Sequence, residues 1–382
     1  MKRIISFILT LTIVVSLIGF IPGGIKAKAE EGQNELTLEI PEVGNRMVTT
    51  GESYIVILLD DGTVSSFGRN NIGQRNTLGW KDIVQVSAGE FHTLGLRKDG
   101  TVIGIGYNSH GQCNVRDWQN IIQVSAGDYH TVGLEKDGTV VSIGDNEYGQ
   151  CNAEDWKDIV QISAGAYHTV GLKKDGSAIA IGDNRYGQCN VEGWKDIIQV
   201  SAGLYYTVGL KKDGTVVVAG DGRCDVEGWK DIVQVSAGTN HIVGLKKNGT
   251  VVADGKNTNG ECSVEEWKNI AQVSAGSNYT IGLKSDGTID RAGETSFIDK
   301  AIPDIVLKGD VNADSKITAA DLLLVKKYVL GLSIDFPSKL GFVAADVNND
   351  GKINAMDCLL IREYILNPVW EEYLIQTEYR YE

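Results

Sequence analysis

The chain has few prolines, 5 in 382 residues, so it does not read as a proline-rich linker or stalk. No Cys-x-x-Cys spacing occurs among its 6 cysteines, which argues against a zinc site. After the opening residues there is no second long apolar run, so the mature chain is not expected to span a membrane. Positive charge is scarce as well. The formal net charge is −14, and residues 1–29 hold four positive charges and no negative ones, leaving −18 on the remainder. Such a surface repels phosphate, which makes a nucleic-acid partner improbable. What is abundant is glycine, 46 residues, the composition of many tight turns between short strands.

Lys2 and Arg3 precede an apolar stretch from Ile4 to Ile21, broken by Pro22-Gly23-Gly24, and Ala27-Lys28-Ala29 follows. This is the pattern of a secretory leader cut after Ala29. An N-terminal segment, 30–45, then leads into a repeat. Trp80, Trp118, Trp156, Trp194, Trp229 and Trp267 recur at spacings of 38, 38, 38, 35 and 38 residues. Ser-Ala-Gly keeps the same rhythm, with a degenerate first copy at Val48-Thr49-Thr50-Gly51, and Asp/Asn-Gly turns end at seven glycines from Gly62 to Gly287. The 35-residue step is a deletion after Gly220. Each unit reads as short β-branched runs joined by hairpins, as Ile159–Ile162, Tyr167–Leu172 and Ser177–Ile181 illustrate. Seven such units predict an all-β seven-bladed propeller over 46–307, with an open β-solenoid as the alternative. Asp304-Ile305-Val306 echoes Asp82-Ile83-Val84 and is a candidate for closing the ring.

Val-Ser-Ala-Gly-x-x-His-Thr-x-Gly-Leu-Lys-x-Asp-Gly-Thr resembles the repeat of the regulator-of-chromosome-condensation family in its short bacterial form, over roughly residues 46–303. A secreted seven-bladed member of that family inhibits β-lactamases through aromatic loops on one face. The resemblance therefore implies a propeller that binds a partner on one face. The chromatin and GTPase functions of the nuclear members do not suit an acidic secreted chain.

Positions that repeat identically are read as structural. These are the turn aspartates Asp99, Asp137, Asp175 and Asp213, the tryptophans packed between blades, and His92, His130, His168 and His241, whose position Tyr54, Tyr206 and Tyr279 fill elsewhere. Cys113, Cys151, Cys189, Cys224 and Cys262 follow the repeat and are read as free thiols, with one or two inter-blade disulfides as the alternative. Positions that vary carry more functional information. Phe91, Tyr129, Tyr167 and Tyr205 put an aromatic at one loop position in four consecutive blades, and His110, Tyr148 and Tyr186 lie in exit loops. Aromatics on rigid loops are good anchors for a protein or a cell-wall polysaccharide. The alternative is an enzyme, a glycoside hydrolase or polysaccharide lyase, with Glu90, Asp128 and Glu147 as blade-specific acids on those loops.

The C-terminal region holds two twelve-residue loops 36 residues apart. Asp310, Asn312, Asp314, Lys316, Thr318 and Asp321 occupy positions 1, 3, 5, 7, 9 and 12 of the first, and Asp346, Asn348, Asp350, Lys352, Asn354 and Asp357 those of the second. Oxygen donors at this spacing suit calcium, one ion per loop, with positions 7 and 9 serving through backbone carbonyl and water. Each loop runs into a helix, with apolar faces assigned to Leu322, Leu323, Val325 and Val329 and to Leu359, Leu360, Ile361 and Ile365. Gly-Asp-Val-Asn-x-Asp, the duplicated half-hand and Lys-Lys-Tyr-Val-Leu-Gly at 326–331 resemble a type I dockerin, over about residues 308–368. That resemblance implies a small all-α domain (308–370, followed by an acidic tail, 371–382) that folds around two Ca2+ and docks onto a scaffoldin cohesin. It places partner contacts at Ala319, Ala320, Lys326, Lys327, Ala355, Met356 and Arg362. The chain so read is an extracellular component of a cellulosome-type complex.

Overall fold

The computed structural model describes residues 26–29, 36–39, 46–221, 224–285, 287–297, 311, 319–332, 345, 347 and 352–366. A short hairpin pairs Lys26–Ala29 with Leu36–Glu39. The main body is seven three-stranded antiparallel sheets, each an inner, a middle and an outer strand in chain order. Blade 1 spans Met47–Gly68, blade 2 Ile83–Gly106, blade 3 Ile121–Gly144 and blade 4 Ile159–Gly182. Blade 5 spans Ile197–Gly220, blade 6 Ile232–Gly255 and blade 7 Ile270–Gly293. Inner strands neighbour one another all the way round, and the inner strand of blade 7 lies beside that of blade 1. The ring is closed, as the propeller reading predicts. A second compact unit, at the C-terminus, contains helices α1 (Ala319–Val329) and α2 (Ala355–Leu366).

The repeated residues earn their places in the joints between blades. Middle strands such as His168–Lys173 are buried along nearly their whole length, because a blade is covered on both faces. Trp156 shares one core with Val132, Leu134 and Val140 of blade 3 and with Ile159 and Ile162 of its own blade. Its ring occupies the space a side chain would need at Gly171, where a Cβ would come within 2.7 Å of Cζ3. Blade 1 lacks the tryptophan and carries Ile57 where the others have glycine, so the two residues form one packing unit. The inner strands of blades 2 to 7 each carry a bulge just before a glutamine. That glutamine bridges to the next blade. Gln123 Oε1 accepts from Ile162 N at 2.8 Å and its Nε2 donates to Ile162 O at 3.2 Å. Six joints have this bridge, and Met47 leaves the joint between blades 1 and 2 without it.

The closing joint uses the same parts as the others. Gln272 bridges to Val48, and Thr50 Oγ1 and Ser274 Oγ lie 2.8 Å apart. Tyr279 Oη donates to the carbonyls of Gly51 and Tyr54 at 2.9 and 2.7 Å. Phe297, from the segment leaving blade 7, packs on Tyr279 at 5.1 Å and fills the space above Gly68. Asp304–Val306, expected to help close the ring, lies outside the described residues, and the joint is complete without it.

The Trp-x-Asp/Asn-Ile segment has a backbone cause. Asp82, Asn120, Asp158, Asp196, Asp231 and Asn269 all adopt φ near +58°, a left-handed conformation that asparagine and aspartate tolerate best. Their carbonyls accept from the backbone N of the hairpin lysine or serine, for example Lys98 N to Asp82 O at 2.9 Å. Gln161→Leu is expected to destabilise the ring by about 2–4 kcal/mol, since it strands the buried Val200 N–H and carbonyl. A denaturant melt of the variant against wild type measures this, and a change below about 0.5 kcal/mol contradicts the bridge.

Candidate functional site

The loops on one face of the ring are built to be stiff. In the exit loop of blade 2, Asn108 Oδ1 accepts from Cys113 N at 2.8 Å and Asn108 Nδ2 donates to Asn114 Oδ1 at 3.0 Å. Gln112 Oε1 accepts from His110 N, and the Cys113 thiol donates to the Tyr107 carbonyl. Blades 3 and 4 repeat this network. It explains the recurring cysteines: no disulfide links them, and burial pushes the Cys113 and Cys151 thiols up to about 12 and about 11.

The histidines belong to the joints. His130 Nε2 lies 2.9 Å from Thr169 Oγ1, and Thr169 Oγ1 in turn donates to the Gln150 carbonyl. The threonine has spent its proton, so the imidazole must carry its own on Nε2 and donate. The same pairing joins His92 to Thr131, His168 to Thr207 and His241 to Thr280. All four rings are fully buried, and each Nδ1 is buried without a hydrogen-bond partner. Burial lowers their pKa values to about 3 for His92 and His130 and about 4 for His168 and His241. Where tyrosine stands instead, its hydroxyl reaches the same joint, as Tyr206 does to the Gly238 and His241 carbonyls.

On this frame the variable aromatics come together as one arc across blades 2 to 5. Phe91 meets Tyr129 at 5.4 Å, Tyr129 stacks on Tyr167 at 6.3 Å, and His110 and Tyr148 pack edge-on against Tyr129 and Tyr167. Tyr186 and Tyr205 pair at 4.5 Å. Arg185 spans the interval, 4.8 Å over the Tyr148 ring and held by two bonds to Asp183. All seven expected residues are at least partly exposed, and His110 and Tyr186 are the openly exposed ones, Tyr186 at 49%. Tyr107, absent from the expected set, joins the arc between Phe91 and Tyr129 at 6.1 and 6.2 Å. It was hidden because other blades have aspartate there, Asp145 and Asp183.

Inside the arc, the axial channel opens into a cavity of about 200 Å³. Its rim is the residue after each Ser-Ala-Gly glycine: Glu52, Glu90 and Asp128 on blades 1 to 3, then Ala166, Leu204, Thr239 and Ser277. The glycines are compulsory, since a Cβ on Gly127 would sit 2.4 Å from the Gly165 carbonyl. Glu52 pairs with Arg69 at 2.6 Å. Asp128 is held well above the usual carboxylate range by loss of water, then by the charge of Glu90 and the hydrogen bond between the two, then by Glu52. Tyr167 is pushed up to about 12, chiefly by burial, so it remains a neutral donor.

In the C-terminal unit, the carboxylates of Asp321 and Asp357 are fully buried. Asp321 Oδ1 accepts from Val311 N at 2.9 Å, and Asp357 Oδ1 accepts from Val347 N at 2.8 Å. Asp357 Oδ2 also accepts from Asn354 N, and Asn354 Oδ1 caps α2 through Met356 N. These are positions 12 of the two loops, in matching settings around a core of Val311, Val325, Ala345, Val347 and Ile361. A buried carboxylate needs a nearby positive charge, which fits a cation in each loop. Asp310, Asn312, Asp314, Lys316, Thr318, Asp346, Asn348 and Asp350 lie outside the described residues; Lys352 is exposed.

The residues expected to contact a partner, Ala319, Ala320, Lys326, Ala355, Met356 and Arg362, are exposed, and Lys327 is half-buried. The helix faces need a correction. Leu323 and Leu359 are 52% and 42% exposed, and Val329 is 38% exposed, so none of them belongs to the core. Leu323 and Leu359 stand one turn beyond the exposed Ala319 and Ala355, whereas Leu322, Leu324, Leu360 and Ile365 pack inward.

Comparison with known proteins agrees with this anatomy. The regulator of chromosome condensation (RCC1) repeat matches residues 83–112, 121–150, 159–188, 197–225 and 232–261, and the dockerin type I domain matches 308–366. The chain carries RCC1 repeats and a type I dockerin. None of the curated proteins matches it. Among solved structures, the RCC1-repeat propeller resembles the CRINKLY WD40 ectodomain of the Arabidopsis thaliana receptor kinase ACR4. The TM-score is 0.57 at 22% identity, over 65% of this chain and 94% of that one. Human WBSCR16 gives 0.53 at 17% identity, over 67% and 93%. These likenesses concern the fold. A chain from the complex of the third cohesin ScaC with the ScaB dockerin of Acetivibrio cellulolyticus is 36% identical over 16% of this chain and 86% of that one, with a TM-score of 0.16. Type I dockerins bind calcium, and this one implies docking to a cohesin in an extracellular cellulosome-type assembly. Among the described residues, no helix is long and apolar enough to cross a membrane.

Proposed function

We propose that the chain is exported by its leader, residues 1–29, and anchored to a scaffoldin, where its propeller serves as a binding module for a protein or a cell-wall polysaccharide. The dockerin would hold two calcium ions, one per loop, and meet the cohesin through Ala319, Ala320, Lys326 and Lys327 or through Ala355, Met356 and Arg362. Leu323 and Leu359 add apolar area to those two faces.

The observation that carries the binding role is the continuity of the aromatic arc. Six rings on blades 2 to 4 touch in sequence, Arg185 over Tyr148 leads on to the Tyr186–Tyr205 pair, and the exit loops are held rigid by their own side chains. Such anchors give contact area at low entropic cost. The hydrolase reading would place its acids at Glu90 and Asp128, which lie on the same rim.

The test is capture from the source organism's secretome and cell-wall fraction with the full chain, in parallel with a Phe91→Ala/Tyr129→Ala/Tyr167→Ala/Tyr205→Ala variant. A protein or glycan retained by the wild type and reduced about tenfold or more with the variant is the expected outcome. Ligands retained equally by both would remove the arc from the binding reading.

A further inference from the structure

The aromatic arc borders a rim whose charge is one-sided. Glu52, Glu90 and Asp128 follow one another on blades 1 to 3 at the channel mouth, while the other four blades contribute Ala166, Leu204, Thr239 and Ser277. Arg69 answers Glu52 alone. Burial and then the charges of Glu90 and Asp128 raise the pKa of both Tyr129 and Tyr167, and Phe91 and Tyr107 pack on Tyr129. Aromatic faces attract cations, and Arg185 over Tyr148 is an instance already present on the arc.

The rings meet at interplanar angles from 26° to 74°, with Phe91 and Tyr107 tilted away from the stacked Tyr129 and Tyr167. That relief suits a protein knob better than the flat strip a linear glycan lies along. The geometry points to a partner protein that inserts a lysine- or arginine-bearing loop at the channel mouth, its cation against Glu90 and Asp128 and its flanks on Phe91, Tyr129 and Tyr167. This rests on the binding reading above and narrows it to a basic partner.

The two acids crowd each other in the free protein, and burial and then the charge of Glu90 raise the pKa of Asp128. A cation between them favours the charged form, so binding is expected to release protons. The groups that set the balance are Glu52, Glu90, Asp128, Arg69 and the phenols of Tyr107, Tyr129 and Tyr167.

The test uses the full chain and three defined probes: a tetra-arginine peptide, its neutral tetra-citrulline counterpart, and cellohexaose. Calorimetry near pH 6 in two buffers of different ionisation enthalpy reads affinity and proton release together. Tetra-arginine is expected to bind at least about tenfold more tightly than tetra-citrulline and to release protons. Glu90→Gln/Asp128→Asn should weaken it at least about tenfold and abolish the release, and Tyr129→Ala should weaken it several-fold. A thermal melt confirms that each variant is folded. Equal affinity for the two peptides, or for wild type and the acid variant, overturns the proposal. Cellohexaose bound in a Tyr129-dependent but acid-independent way overturns the basic partner and leaves the binding face standing. Tetra-arginine and cellohexaose both indifferent to Tyr129→Ala would count against the binding face as well.

Discussion

Acidified from pH 7 to about pH 4, the propeller is expected to lose its near-ultraviolet circular dichroism in one cooperative step. The cause is the ring of buried imidazoles. His92, His130, His168 and His241 titrate at about 3 to about 4 in the folded chain because burial penalises the cation. In the unfolded chain they titrate at about 6.5. Their folded values are depressed, so the unfolded chain binds more protons throughout that window. The stability they confer is intact above about pH 6.5 and is lost as pH falls toward their folded values. Each contributes roughly 1.4 kcal/mol per pH unit, and four together roughly 5.6, enough to exhaust a typical 5–15 kcal/mol within a few units. Asp128, whose folded pKa is raised, works weakly in the other direction. His168→Tyr installs the residue that blades 5 and 7 already use, Tyr206 and Tyr279. It should remove about a quarter of the slope and lower the acid midpoint. An unchanged midpoint in that variant would locate the sensitivity elsewhere.

The second large effect is calcium withdrawal. With excess chelator, amides in α1 and α2 are expected to lose hydrogen-exchange protection while amides of the blades keep theirs, and capture by a cohesin should cease. Asp321 and Asp357 are fully buried carboxylates, and without a cation their charge repels the other loop acids. Metal-binding free energy is then folding free energy. At calcium a hundredfold above its Kd, each site supplies about 2.7 kcal/mol, so losing both costs about 5 kcal/mol in a small domain. Asp321→Ala with Asp357→Ala should mimic the chelator and also strand the Val311 and Val347 N–H groups. Protection of both helices that survives chelator contradicts the calcium reading.

Much of this was legible in the residues because a repeat states its constraints seven times. The tryptophan rhythm, the Asp-Gly turns and the His/Tyr alternation each announced a joint or a turn, and the arc was visible as aromatics at one loop register. What stayed hidden depends on contacts between units rather than on a period. Tyr107 could not be ranked without knowing that the start of one exit loop faces the aromatic of the next blade. The left-handed Asp/Asn before each inner strand looked like any polar residue, since a positive φ leaves no mark on composition. Helical spacing places Leu323 and Leu359 inward because it cannot tell a buried face from an exposed one when both are apolar.

The way the ring closes also determines how it carries a load. No strand of the described blades crosses from one blade to another; the joint between blades 7 and 1 is held by side-chain hydrogen bonds. A molecule tethered through its C-terminal domain is pulled, in flow, from the end of blade 7. Of the described residues in that exit segment, Phe297 is the last, a plug between Tyr279 and Gly68. It covers the end of the blade whose outer strand Ile289–Gly293 pairs with Tyr279–Lys284. Its seat therefore ties the exit of the chain to both sides of the closing joint, Tyr279 of blade 7 and Gly68 of blade 1.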